Sequence, residues 1–174
     1  MKWSEFFLEI LLKSNDFVTK YGYFGIFLIS LVCSLNPFIP IPYFVLLFTF
    51  GPILNPVFLA LVAALGASIG KTLCYVIGLG GKEILEKKFD KHIKKLKKSF
   101  EKYKPGVWVF LIGLTPIIDD PVIILCGIIK YDFKKFFIAL FLGKFILSLA
   151  LSLAGYYSIN WILDYFNIEL EFLV

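Results

Sequence analysis

Along the chain, apolar positions fall into long blocks separated by short polar or proline-rich interruptions. Trp3–Lys13 carries Trp3, Phe6, Phe7, Ile10 and Leu11 at helical spacing, with Glu5, Glu9 and Lys13 opposite. It is too short to span a bilayer and is expected to be a helix lying in the interface. Phe17–Leu35 follows as a mostly apolar helix. It is stopped by Asn36-Pro37-Phe38-Ile39-Pro40-Ile41-Pro42, whose three prolines leave no room for a continuous helix. Apolar sequence resumes at Tyr43–Phe50 and halts again at Gly51-Pro52-Ile53-Leu54-Asn55-Pro56. A helix of that length falls well short of the roughly 30 Å hydrocarbon core, so it reads as the return arm of a re-entrant hairpin.

Val57–Gly81 is long enough to span and contains Gly66, Gly70, Gly78, Gly80 and Gly81, small residues that permit close helix packing. Lys71 lies near its middle, too deep to snorkel easily, and is expected to face protein, water or a ligand. Lys82–Tyr103 then places Leu85, Phe89, Ile93, Leu96, Phe100 and Tyr103 at steps of three or four among charges, a basic amphipathic helix on the membrane surface. His92 belongs to that helix and reads as a solvated surface histidine. Pro105-Gly106 ends it. Val107–Ile129 is a second broken apolar segment, and Lys130, Lys134 and Lys135 follow. Phe136–Leu163 is a second full-length span, with Gly143-Lys144 inside it and Tyr156, Tyr157, Trp161 and Tyr165 as an aromatic belt.

Composition fixes the class. Of 174 residues 59% are hydrophobic and 18% aromatic, and mean hydropathy is +0.84, beyond the roughly 45–50% apolar share of soluble domains. This predicts an integral membrane protein with one membrane domain: an interfacial helix over 1–15, a first half over 17–81, a linker helix over 82–104, a second half over 105–163 and a tail over 164–174. The net charge of +5 is concentrated in Lys82–Lys104, where ten lysines face Glu83, Glu86, Asp90 and Glu101. A basic segment beside apolar spans points to the cytoplasmic side and to anionic lipid head groups, and away from nucleic acid. All 18 basic residues are lysine, so any anion contact is a point charge and not a bidentate fork. The tail, with Asp164, Glu169 and Glu171 and no lysine, is expected on the outer face. Cys33, Cys74 and Cys126 are widely spaced among apolar neighbours and read as buried free thiols, with no disulfide framework, metal site or cofactor indicated. No cleavable signal peptide is expected, because Glu5 and Glu9 interrupt the first apolar stretch. A homo-oligomer stays open.

The halves repeat. Pro37 and Pro42 are five apart, as are Pro116 and Pro121, and each pair is followed by a span holding a Gly-Lys pair, Gly70-Lys71 and Gly143-Lys144. The first span ends at the basic loop, so the hairpin before it enters from outside. The second hairpin begins and ends among lysines, so it enters from inside. The expected fold is therefore an all-α membrane protein of two inverted halves, each a re-entrant helical hairpin followed by a transmembrane helix, as in transporters with midplane sites.

Within the second hairpin, Thr115-Pro116-Ile117-Ile118-Asp119-Asp120-Pro121 places two adjacent carboxylates in an apolar run. An ionised side chain there costs roughly 2.5–3.5 kcal/mol on insertion scales, and a chain that keeps two of them has a use for them. Lys71, Lys144, Asp119 and Asp120 are the candidates for a central polar cluster, with Asn36 and Thr115 as neutral partners. The plainer alternatives are structural ion pairs that fix helix register, or an acidic pair capping Val122–Ile129 at a water-exposed helix start. The glycines read as packing devices.

At these residues the chain resembles the DedA family, the VTT-domain or SNARE-associated Golgi-type membrane proteins. Pro37-Phe38-Ile39-Pro40-Ile41-Pro42 is similar to the family's first re-entrant loop. Gly66-Ala67-Ser68-Ile69-Gly70-Lys71, continuing through Tyr75-Val76-Ile77-Gly78 to Gly81, resembles its glycine pattern. Pro116 through Gly127 and Phe133 or Phe136 to Gly143 resembles its second loop and following helix. Together these cover roughly residues 30–150. Bacterial members usually carry an acid just after the first loop, where this chain has Tyr43-Phe44, and often an Asp where Lys71 stands. Their second loop carries arginines at the positions of Gly113 and Asp119. The charges are thus inverted, lysine for acid and acid for arginine.

What the residues suggest, and what the resemblance also implies, is a lipid translocator in which Lys71 or Lys144 attracts the phosphate of a polyprenyl phosphate or glycerophospholipid. Asp119 or Asp120 would hold or release the lysine. A proton- or ion-coupled transporter of a small solute and a non-transporting assembly factor are the alternatives. An enzyme is disfavoured: no Ser/His/Asp set, metal cluster or phosphate loop is present, and no catalytic residue is expected.

Overall fold

The computed structural model describes residues 3–35, 43–102, 105–115 and 119–166, with side chains placed for 17–35, 43–80, 105–115 and 119–158. Among these, every regular element is helical: α1 (Trp3–Leu35), α2 (Tyr43–Phe50), α3 (Pro56–Lys102), α4 (Pro105–Gly113), α5 (Asp120–Ile128) and α6 (Phe133–Phe166). Phe17–Leu35, Pro56–Gly80 and Phe133–Ser158 are long and apolar enough to cross a membrane. Their outward residues are themselves apolar: Phe58, Ile69 and Val76 on α3 and Ile138, Leu142 and Ile146 on α6 are exposed. An apolar girdle of this kind belongs in lipid.

Local chemistry sets the helix ends. Asn55 caps α3, its Oδ1 accepting from the amides of Val57 and Phe58, and Pro56 occupies the first turn, where its missing N–H is harmless. Asp132 caps α6 by accepting from the Lys135 amide at 2.9 Å. α5 ends in a Schellman turn: the Tyr131 amide donates to the Cys126 carbonyl and that of Lys130 to Gly127, with Lys130 left-handed at φ 54°.

Two junctions differ from the sequence expectation. α1 is not divided near residue 16; its break is at Gly22, with φ 56° and ψ −130°. Only glycine adopts that conformation readily, and composition gives no sign of it. α3 runs without interruption from the apolar stretch through Gly80-Gly81 to Lys102. A Cβ on Gly80 would meet nothing within 4 Å, so no packing bends the chain there. The interfacial and amphipathic surfaces expected over 1–15 and 82–104, and His92, lie outside the residues with described side chains. Pro37, Pro40, Pro42 and Pro116 lie outside the described residues altogether. α4 and α5 are separate helices, so the second proline segment is broken as its composition requires.

Close backbone approaches fix the helix directions. Gly66 packs on Phe27, and Gly70 on Leu31 and Ser34, so α1 and α3 run the same way. Gly113 packs on Gly143 and Leu140, and Gly106 on Tyr131, so α4 and α6 also run together. Ser152 Oγ donates to the Pro56 carbonyl while the Tyr75 ring stacks on Phe136, which makes α3 and α6 antiparallel. The two short helices cross over. α2 lies against α6, with Gly51 on Ser152 and Gly155 on Phe48, and α5 lies against α3, with Gly78 on Gly127. Two apolar cores result. One gathers Ile26, Leu47, Phe50, Leu59 and Ala67, the other Cys74, Val109, Ile123, Cys126 and Phe136. Lys71 falls between Ala67 and Cys74, at their junction.

Candidate functional site

Two lysines from the long helices and two carboxylates from the start of α5 meet at that junction. Lys71 Nζ lies 2.9 Å from Asp119 Oδ1 and 2.5 Å from Asp120 Oδ1, and Lys144 Nζ lies 2.7 Å from Asp119 Oδ2. All four are buried, with 8%, 2%, 6% and 3% exposure for Lys71, Asp119, Asp120 and Lys144. Two positive and two negative charges leave the cluster neutral, which is what makes its burial tolerable. Asp119 bridges the lysines, one oxygen to each.

Asn55 and Asp132 show what an Asn or Asp usually does before a helix: they cap. Asp119 occupies the corresponding position of α5, yet its side chain makes no capping hydrogen bond. Its carboxylate is turned to the lysines instead. Position alone would have assigned it a capping role at a water-exposed helix start, and burial with two ammonium partners argues against that assignment. Pro121 lies in the first turn of α5 and is exposed.

The glycines single out the surfaces that carry the cluster. A Cβ on Gly70 would come within 2.5 Å of the Leu31 carbonyl, and one on Gly143 within 2.5 Å of that of Phe110. Gly70 and Gly143 therefore bring α1 and α4 against the helices that hold Lys71 and Lys144. Gly66 does the same on Phe27, while Gly78 and Gly127 pack on one another.

Thr115 is not drawn in by the described contacts; its hydroxyl donates back to the Ile112 carbonyl at 2.9 Å. Asn36 lies outside the described residues. Two neighbours escaped the sequence reading. The Cys74 thiol donates to Asp120 Oδ1 at 3.2 Å, and its position three residues after Lys71, on the same helix face, was the available signal. Phe44 places its ring 5.9 Å from Lys144 Nζ, so the first half reaches the site through an aromatic face. Cys33, Cys74 and Cys126 are free thiols, Cys33 half-buried and the other two buried.

The model of the VTT domain family matches residues 39–157, a span that holds all four charges and Gly66, Gly70, Gly78, Gly127 and Gly143. The chain belongs to the VTT-domain family, the DedA or SNARE-associated Golgi-type membrane proteins. No curated protein and no solved structure matches it. As a DedA-family protein with three apolar helices of spanning length, it is an integral membrane protein. The matched span begins before α2 and ends near the close of the third apolar stretch, so the cluster belongs to the VTT domain and not to an appendage of it.

Proposed function

We propose that this DedA-family protein moves a lipid head group between leaflets, as a flippase or scramblase for a polyprenyl phosphate or glycerophospholipid. The observation that carries the reading is the neutral cluster of Lys71, Lys144, Asp119 and Asp120, built by both halves and buried partway along two antiparallel apolar helices. A charged head group crossing hydrocarbon needs groups that replace its hydration, and paired ions that can exchange partners provide them. The protein is read as a carrier and not an enzyme.

The architecture that suits this role is two inverted halves with hairpins that turn back inside the bilayer. Three features support it. Phe17–Leu35 has the length and apolarity of a span, but its break at Gly22 leaves Tyr23–Leu35 as roughly 20 Å of uninterrupted helix at about 1.5 Å per residue, short of the ~30 Å hydrocarbon core. α4 and α5 are shorter still, and Gly106 beside Tyr131 brings the two ends of their hairpin together. Each return helix packs on the long helix of the other half. In this reading 82–104 is a cytoplasmic linker that binds anionic head groups, and the C-terminus is outside.

The test is reconstitution in liposomes with labelled lipid in both leaflets. Wild-type protein should equilibrate the label, and Lys71→Met or Asp119→Asn should abolish this. Solute uptake driven by a proton or sodium gradient, without lipid movement, would instead make the protein a secondary transporter. Function that survives both substitutions would make it an assembly factor.

A further inference from the structure

Several buried polar atoms around the cluster lack hydrogen-bond partners, and among the charges Asp119 Oδ2 meets Lys144 Nζ at 2.7 Å as an ion pair without a hydrogen bond of good geometry. Among the described residues, the hydroxyls of Tyr43, Ser68 and Ser148 are buried without a hydrogen-bond partner, whereas Ser152 donates to the carbonyls of Pro56 and Leu149. A buried hydroxyl left unpaired is costly, and three in one membrane protein call for a ligand or water.

The three flank the cluster, Tyr43 and Ser148 beside Lys144 and Ser68 on α3. Ser148 is one turn beyond Lys144 on the same buried face of α6. Tyr43 packs its ring on Phe44 at 4.2 Å, and Phe44 faces the Lys144 ammonium. Ser68 stands three residues before Lys71 on α3, and the antiparallel register set by the Pro56–Ser152 and Tyr75–Phe136 contacts brings that turn level with the Lys144 turn.

The two lysines are also differently committed. Lys71 holds an oxygen of each carboxylate, with the Cys74 thiol on the same Asp120 oxygen. Among the described residues, Lys144 meets a single oxygen, Asp119 Oδ2, and otherwise faces a ring. An ammonium has three donors, so Lys144 keeps capacity that Lys71 has spent. Asp119 can release Lys144 and stay paired through Oδ1 to Lys71.

We infer that Lys144 and the hydroxyls of Tyr43, Ser68 and Ser148 form a docking site for a tetrahedral oxyanion of the phosphate type, while Lys71 is a structural clamp on both carboxylates. An incoming anion takes the place of Asp119 Oδ2 on Lys144, and donors from α2, α3 and α6 close around its remaining oxygens. With no arginine in the chain, recognition is one point charge plus hydroxyls. The inference rests on the translocator reading and deepens it by naming the groups that take the head group.

The test is equilibrium binding to the full chain in detergent, with short-chain phosphatidic acid, inorganic phosphate and the matching diacylglycerol as probes. Wild type should bind phosphatidic acid and not diacylglycerol. Binding of inorganic phosphate as well would identify free phosphate as a ligand, and its failure to bind would restrict the site to lipid. Tyr43→Phe, Ser68→Ala and Ser148→Ala should each weaken binding by about ten- to a hundredfold, the effect of one lost hydrogen bond to a charged group, without lowering the melting temperature. Ser152→Ala, which removes a partnered hydroxyl, should lower the melting temperature and leave binding unchanged. Wild type that binds no phosphate compound, or hydroxyl variants that bind normally or melt early, would overturn the site. Binding that behaves as described in a protein that moves no lipid would overturn the translocator reading and leave the site standing.

Discussion

Gly78 and Gly127 meet where α3 crosses α5, so closely that a Cβ on Gly78 would lie 3.0 Å from the Gly127 Cα and one on Gly127 2.9 Å from the Gly78 Cα. Seven residues earlier on each helix stand Lys71 and Asp120. The crossing therefore sets the distance between an ammonium and a carboxylate two turns away. A methyl group here presses on backbone, which cannot turn aside as a side chain can. Gly127→Ala should cost about 2–3 kcal/mol of stability, as overpacking typically does. Gly80→Ala, in open space on the same helix, should instead be neutral or stabilise by about 0.5–1 kcal/mol through helix propensity. Thermal unfolding of both variants in one detergent checks the contrast.

Lys130 occupies the left-handed position of the Schellman turn that ends α5. A side chain with a Cβ costs roughly 1–2 kcal/mol in that conformation, and glycine avoids it. Lys130→Gly should raise the melting temperature, and Lys130→Val should lower it more than Lys130→Ala does. If all three melt together, the turn does not limit stability.

The break at Gly22 leads to an opposite expectation. With φ 56° and ψ −130° and nothing within 4 Å of a Cβ, the site has space for a side chain but a backbone that resists one. Gly22→Ala should destabilise by roughly 1–3 kcal/mol, the usual strain of such a conformation, although it removes no contact. An unchanged melting temperature would mean that α1 straightens at little cost.

Much of the helical layout was legible because bilayer burial imposes long apolar blocks, and proline or capping residues punctuate them. Asn55-Pro56 and Asp132 mark helix starts through local hydrogen bonds that sequence alone can suggest. The Gly22 break was hidden because its cause is a backbone angle and its neighbours are uniformly apolar and aromatic. Lys71 and Asp119 stood out individually, since each is costly in hydrocarbon, but their pairing depends on a helix register set by glycines far apart in sequence. Resemblance to the family had marked an acid where Lys71 stands and an arginine where Asp119 stands. In this chain those two positions touch at 2.9 Å, and an attraction of opposite charges at that distance holds with either polarity. Cys74 and the three unpaired hydroxyls read as ordinary apolar-face residues, because nothing short of three dimensions shows what they fail to bond.

Charge balance gives the sharpest test of the cluster as a unit. Asp119→Asn leaves two lysines facing one carboxylate, and Lys144→Met leaves two carboxylates facing one lysine. Either single change strands a buried charge and should cost about 3–5 kcal/mol. The double variant restores neutrality, so its loss should fall short of the summed single losses by roughly 2–3 kcal/mol. It should nonetheless move no lipid, because the ammonium that meets the head group is gone. A double variant as unstable as the sum would mean that the two residues act independently. One that regains both stability and transport would reduce the Asp119–Lys144 contact to a device for burying charge, and the work of carrying the anion would then fall to Lys71.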